Sequence, residues 1–241
     1  MYDYLRRGAV AGGVGGAAYG LYMALVGNPL VAHAEALAHE HAEHGHEHSH
    51  EAEPLVSEGL MQAVSVGSGV ALGLLFGVVV FGVVAFLVEP ALPERGQSYL
   101  LGLAGFLTVS GVPWLVLPPA APGVETSLAV GPSRYLYIGL MATGAVACLA
   151  AGAAYHRLSE RGNAVAGVAG LAVFAAIIGT AVLAAPSPTY ESALSASFES
   201  LYVGAIAVGQ LGLWGITAAT HARLKSSRRQ STPDARPMAA D

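Results

Sequence analysis

A chain of 241 residues that is 54% apolar and only 11% charged is far oilier than a soluble domain, in which about a quarter of the positions carry charge. Its formal net charge of -5 and its 31 glycines exclude a basic nucleic-acid binder and fit closely packed membrane helices. The single cysteine, Cys148, excludes a disulfide framework and a CxxC metal clasp.

Six windows free of Asp, Glu, Lys, Arg and His follow one another at about residues 8–27, 61–88, 99–118, 135–155, 164–185 and 201–220. Each is close to or beyond the roughly 20 residues with which a helix crosses about 30 Å of hydrocarbon. The expected fold is an all-α integral membrane protein, a bundle of about six transmembrane helices forming one polytopic domain over residues 1–224. A His-rich outer loop at 31–58 separates the first two helices, and a disordered basic tail occupies 225–241. Arg6-Arg7, an apolar run and Ala32 with Ala34 also fit a cleavable leader, whose removal would leave five spans. The run of about 20 residues is, however, longer than the roughly 7–15 of a signal core.

In the first span "GAVAGGVGGAAYG" and in the second "GSGVALGLLFG" place small residues where backbones can approach, because lipid offers no hydrophobic drive for helix association. Asn28-Pro29 should close the first span, much as Pro118-Pro119 ends the third. Pro113 lies inside the third span. It should kink the helix and free a carbonyl for a neighbouring group, a water or a cation. The six windows hold no ionisable group apart from Cys148 and tyrosines, which argues against a self-contained proton pump. Their polar groups are Ser65, Ser68, Thr108, Ser110, Thr143, Cys148, Thr180 and Gln210. Hydroxyls commonly bond back to their own helix. Gln210, with Trp214 one turn later, has the better claim to line a path, and Thr108, Ser110 and Pro113 are the matching positions on the third span.

Threading the chain through six spans puts Arg6, Arg7, Arg95, Arg157, Arg161, Arg223, Lys225, Arg228, Arg229 and Arg236 on one side and only Arg134 on the other. By the positive-inside rule both termini are cytoplasmic. The opposite face collects Glu125, Glu191, Glu199 and the segment "HAEALAHEHAEHGHEHSHEAE", which carries seven of the nine histidines. The basic start of the tail suits anionic lipid headgroups rather than nucleic acid.

Imidazole suits Co2+, Ni2+, Cu2+ and Zn2+, and carboxylates can complete the shell. His39, His41, His44, His46, His48 and His50 recur every two or three residues. In a helix His44 with His48 and His46 with His50 share a face; in an extended chain residues 44, 46, 48 and 50 share an edge. His33 and Glu35 sit just beyond the membrane exit and could form a mouth. A solvated tract with incidental metal affinity is the plain alternative. Because free imidazole titrates near about pH 6.5, capture should fail as the medium acidifies.

The order of a basic pair, a Gly/Ala-rich span closing in "NPLVAHAE", a His-bearing outer loop, "GLAGFLTVSGVPWLVLPPAAPGVE", "SRYLYIG" and "GQLGLWG" resembles the cobalt transporter subunit family CbtA over about residues 5–224. The block 102–123 is its most specific part. The resemblance implies a membrane subunit that imports Co2+ together with a small single-span, His-containing partner, CbtB, with Glu35, Pro113, Pro118, Pro119 and Pro122 at family-like positions. A histidine that such chains carry near the end of the fifth span is absent from "VLAAPSPTY".

The resulting expectation is a subunit for uptake of a divalent transition metal, cobalt first and nickel or zinc as alternatives, with no tightly bound cofactor and with lipid, metal ion and the small subunit as partners. There is no GxxxxGK[ST] element to couple ATP within this chain. The alternative is a membrane-anchored sensor or store that transports nothing. No GxSxG element and no paired aspartates at depth support an enzyme.

Overall fold

The computed structural model describes residues 1–43, 58–88, 92, 96–192 and 194–231. α1 (Tyr2–Tyr22) passes through a five-residue π-helical segment, Met23–Gly27, into α2 (Asn28–Glu43). α3 (Glu58–Phe76) likewise continues through a π segment, Gly77–Val84, into α4 (Ala85–Val88). α5 (Gln97–Phe106), a π segment at Leu107–Gly111 and α6 (Val112–Trp114) make the third rod. α7 (Val130–Leu158), a 3-10 turn at Ser159–Arg161, α8 (Asn163–Ala184) and α9 (Ala196–Ser231) complete the bundle.

Five of these helical stretches are long and apolar enough to cross a membrane: Tyr2–Leu37, Gly59–Val88, Val130–Arg161, Asn163–Ala184 and Ala196–Ser227. The chain is therefore an all-α multi-pass membrane protein. The third expected span is helical over Gln97–Trp114 but is not among the five, because Gln97, Ser98, Thr108 and Ser110 dilute its apolar content and the helix ends before Pro118-Pro119.

Two expected boundaries move. The helix runs through Asn28-Pro29 instead of closing there, so residues 31–43 of the expected outer loop are helical, and residues 44–57 lie outside the described residues. α9 continues to Ser231, past the boundary expected at 225. Pro29 and Pro113 share one device: each follows two residues after the end of a five-residue π segment. The wider turn relieves the clash between the proline ring and the carbonyl four residues back, so the helix bends instead of breaking.

Glycine spacing fixes the centre. Gly8, Gly12, Gly16 and Gly20 recur every fourth residue on one face of α1, against Gly69 and Gly73 of α3 and Gly77 beyond it, backbone on backbone. The residues pair in reverse order, so α1 and α3 are antiparallel. The other side of α1 meets α9, where a Cβ at Gly15 would stand 3.0 Å from the Leu213 carbonyl oxygen. α5 runs antiparallel to α9, and α8 packs on α7. A short ladder pairs β1 (Glu125–Thr126) with β2 (Tyr190–Glu191) and ties two interhelical loops together. Nearby prolines at 118, 119, 122, 186 and 188 keep these loops out of helix.

The first turn of α1 and the last turns of α9 lie at the same end of the bundle, where Tyr4 packs on Phe86 and His221 on Phe81. Arg6, Arg7, Arg157, Arg161, Arg223 and Lys225 gather at this end, and Glu125, Arg134, Glu191 and Glu199 at the other.

Candidate functional site

At the acidic end, α2 carries the first expected metal ligands. His33 and Glu35 are both exposed, on either side of the fully buried Ala34, and the His33 ring centroid lies 5.4 Å from that of Phe198 on α9. Two residues on a helix are about 200° apart around its axis. The expected His33–Glu35 mouth is therefore not brought together; His39 and His41 follow on the same helix. His44, His46, His48 and His50 lie outside the described residues. Among the described residues no three His, Cys, Asp or Glu converge as a metal centre.

Below this end, Asn28 accepts a hydrogen bond from Ser65 Oγ at 3.0 Å, while its Nδ2 is buried without a partner. A groove of about 660 Å³ beside it is lined by Tyr22, Pro29, Leu30, Ser200, Gly204 and Val208.

The third rod shows what the proline does. Pro113 is fully buried and has no N–H to offer the carbonyl of Val109, four residues back. The Tyr137 hydroxyl of α7 donates to that carbonyl at 2.7 Å. Of the three acceptable partners, a neighbouring side chain takes the place. Tyr137→Phe should cost about 1 kcal/mol, measured as a shift in the unfolding midpoint of the detergent-solubilised protein; an unshifted midpoint would mean that the carbonyl is satisfied in another way.

At mid-depth three helical rods meet through one amide. Ser110 Oγ, from a residue only 3% exposed, donates to Gln210 Oε1 at 3.4 Å, and Gln210 Nε2 donates to the Tyr19 hydroxyl of α1 at 3.3 Å. Trp214, one turn further along α9, stacks on Phe76 with centroids 5.1 Å apart and rests its benzo ring on Gly105; its indole N–H is buried without a partner. Thr108 turns instead toward α7, where its hydroxyl is 4.0 Å from Cys148 Sγ. The five expected path residues thus divide: Ser110, Gln210 and Trp214 share the α9 side, Thr108 and Pro113 the α7 side.

The sequence reading also placed no imidazole in the bundle, and α9 overturns that. Gln210, Trp214, Thr217 and His221, spaced four, three and four apart, form a stripe on its inner face. His221 is 3% exposed, and its Nδ1 lies 2.9 Å from the Ser98 hydroxyl at the start of α5. Gln97 beside it is buried and takes a hydrogen bond from Lys225. The last apolar window ends at residue 220 because His221 interrupts it, and Tyr19 and Tyr137 are not among the polar groups expected to line a path. The helical spacing from Gln210 to His221 was the readable signal for the stripe.

The interior presents a line of polar groups: phenol, hydroxyl and amide oxygens at mid-depth, and an imidazole at the basic end. Uncharged oxygens hold a divalent cation more loosely than carboxylates do.

No curated protein and no solved structure matches the chain. A family model described as "Probable cobalt transporter subunit (CbtA)" matches residues 1–226. With nearly the whole chain covered by that match, this multi-pass membrane protein belongs to the CbtA family.

Proposed function

We propose that the chain is the membrane subunit of a divalent transition-metal uptake system, cobalt first, in which the outer His/Glu segment captures the ion and the α9 side of the bundle conducts it. The family match over residues 1–226 carries this reading. The buried polar contacts among α1, the third rod and α9 support a route at mid-depth. Capture begins on α2 with Glu35 and His39 and extends through His41, His44, His46, His48 and His50. His33 stands at the α9 side of the same helix. The ion then passes Ser110, Gln210 and Trp214, with Thr108 and Pro113 forming the wall toward α7.

The membrane orientation belongs to the same proposal. The end rich in Arg and Lys faces the cytoplasm together with both termini, and the acidic end faces outward. A subunit needs companions; the one proposed is a small single-span, His-containing chain that completes the route or couples it to energy. Ni2+ and Zn2+ compete with Co2+, because redundant imidazoles rank ions by general affinity and availability.

Radioactive cobalt uptake into cells expressing the chain, with and without the small subunit, tests the whole reading. Cobalt accumulation that nickel and zinc reduce is the expected result. No accumulation under any pairing, with metal still bound to the protein, would favour a membrane-anchored sensor or store.

The capture step has its own expected result. Replacing His39, His41, His44, His46, His48 and His50 by Ala should raise the external cobalt concentration needed for half-maximal uptake and leave the maximal rate unchanged. Acidifying the medium below about pH 6.5 should reproduce this in the wild type, because a protonated imidazole has no lone pair to offer. Uptake at limiting cobalt that ignores both changes would remove the segment from the mechanism.

A further inference from the structure

His221 is the buried group that the route described above leaves unused. A titratable ring inside a membrane bundle is costly and is kept where an ion or proton must be handled. One neighbour is apolar: Phe81, with ring centroids 5.3 Å apart, which belongs to a buried core cluster with Ala85, Leu101 and Ala218. Phe81 could pack equally well against a leucine, so packing alone does not call for an imidazole. Three buried polar residues, Gln97, Ser98 and His221, meet here where α5 begins against the inner end of α9.

Two further facts point the same way. The Ser98 hydroxyl lies 2.9 Å from Nδ1, and metal-ligating histidines are held by such a contact on the nitrogen that does not ligate, which fixes ring and tautomer. With Nδ1–H donating to Ser98, Nε2 carries the lone pair, and that atom is buried within the bundle. His221 also ends the stripe that starts at Gln210, about 16 Å away at 1.5 Å per residue.

We propose that His221 is an inner ligand of the translocated divalent cation, the last imidazole it meets before the cytoplasmic side. This rests on the transport reading and adds a residue to it. Imidazole is the borderline donor suited to Co2+, Ni2+ and Zn2+, whereas the oxygens at mid-depth do not discriminate among divalent ions. Lys225, one turn beyond and bonded to Gln97, places a positive charge on the far side of the ligand. Its repulsion shortens the stay of the ion and favours release.

Two variants of the full-length chain test the proposal. His221→Cys, purified in detergent and titrated with Cd2+, should develop thiolate-to-cadmium charge-transfer absorption beyond that of the wild type, whose Cys148 sets the baseline. Absorption equal to the wild type would overturn the ligand assignment. His221→Asn keeps a hydrogen-bonding group near the position of Nδ1 and removes Nε2. Its cobalt uptake should fall at least about ten-fold with an unchanged size-exclusion profile, and uptake at the wild-type level would make the Ser98 contact merely structural and overturn the proposal. If the wild type itself accumulates no cobalt, it is the transport reading that falls, and the cadmium titration alone decides whether His221 binds metal.

Discussion

A single methyl group added at Gly73 should push α1 and α3 apart. The Cβ of Gly73→Ala would overlap the Gly12 carbonyl oxygen and the Gly16 backbone, and no rotamer can relieve a collision with main chain. Overpacking a core typically costs about 1–3 kcal/mol. Here the contact is continuous from Gly8 to Gly20, so a shift at one point loosens its neighbours, and about 3 kcal/mol or more is expected. The control lies on the same helix: Gly67 has nothing within 4 Å of an added Cβ, and Gly67→Ala should be neutral or slightly stabilising, because alanine is the better helix former. Thermal unfolding of the two variants in detergent separates the cases. Equal midpoints would mean that α1 and α3 do not meet backbone to backbone.

Gln210→Leu should abolish most cobalt uptake while leaving the protein folded. The side chains are similar in size, so packing changes little. What is lost is the amide that joins Ser110 to Tyr19. Leaving two hydroxyls without that partner costs about 1–3 kcal/mol each at most, and the remaining helix contacts absorb it. An ion at mid-depth suffers more, because methyl groups replace an oxygen donor where it must shed water. Uptake is expected to fall at least about ten-fold, equivalent to about 1.4 kcal/mol in the barrier. A variant that transports like the wild type would move the route away from α9.

The class of fold was legible because apolar length is a direct physical requirement of the bilayer, and charge alternation marked the ends of each rod. The helix partners were not. Gly8, Gly12, Gly16 and Gly20 announce a close contact, but which helix supplies the other backbone depends on three-dimensional arrangement, and Gly15 on the opposite face meets a second partner. Pro113 was legible as a kink. That Tyr137 would answer it was not, because the two residues are joined only by the folded loop between α6 and α7. At Asn28-Pro29 local chemistry suggested a helix end, and the π turn before it overrode that signal. The short ladder between Glu125–Thr126 and Tyr190–Glu191 had no sequence signature, since each strand is two residues long. His221 escaped for the opposite reason: a rule that ends a span at any ionisable residue discards an imidazole that the bundle encloses.

The π turn at Met23–Gly27 also sets an angular phase. One extra residue in a helix advances everything after it by about 100°. Which way His33 and Glu35 face is therefore set in part six or more residues earlier, within Met-Ala-Leu-Val-Gly, as well as by the contacts of His33 with Phe198 and of the buried Ala34. Deleting a single residue there, Val26 for example, would leave the glycine contact of α1 in place and turn the whole His/Glu arm about a quarter of a revolution. One codon in the π segment thus sets the phase of α2 relative to α1 without changing any residue of α2 itself.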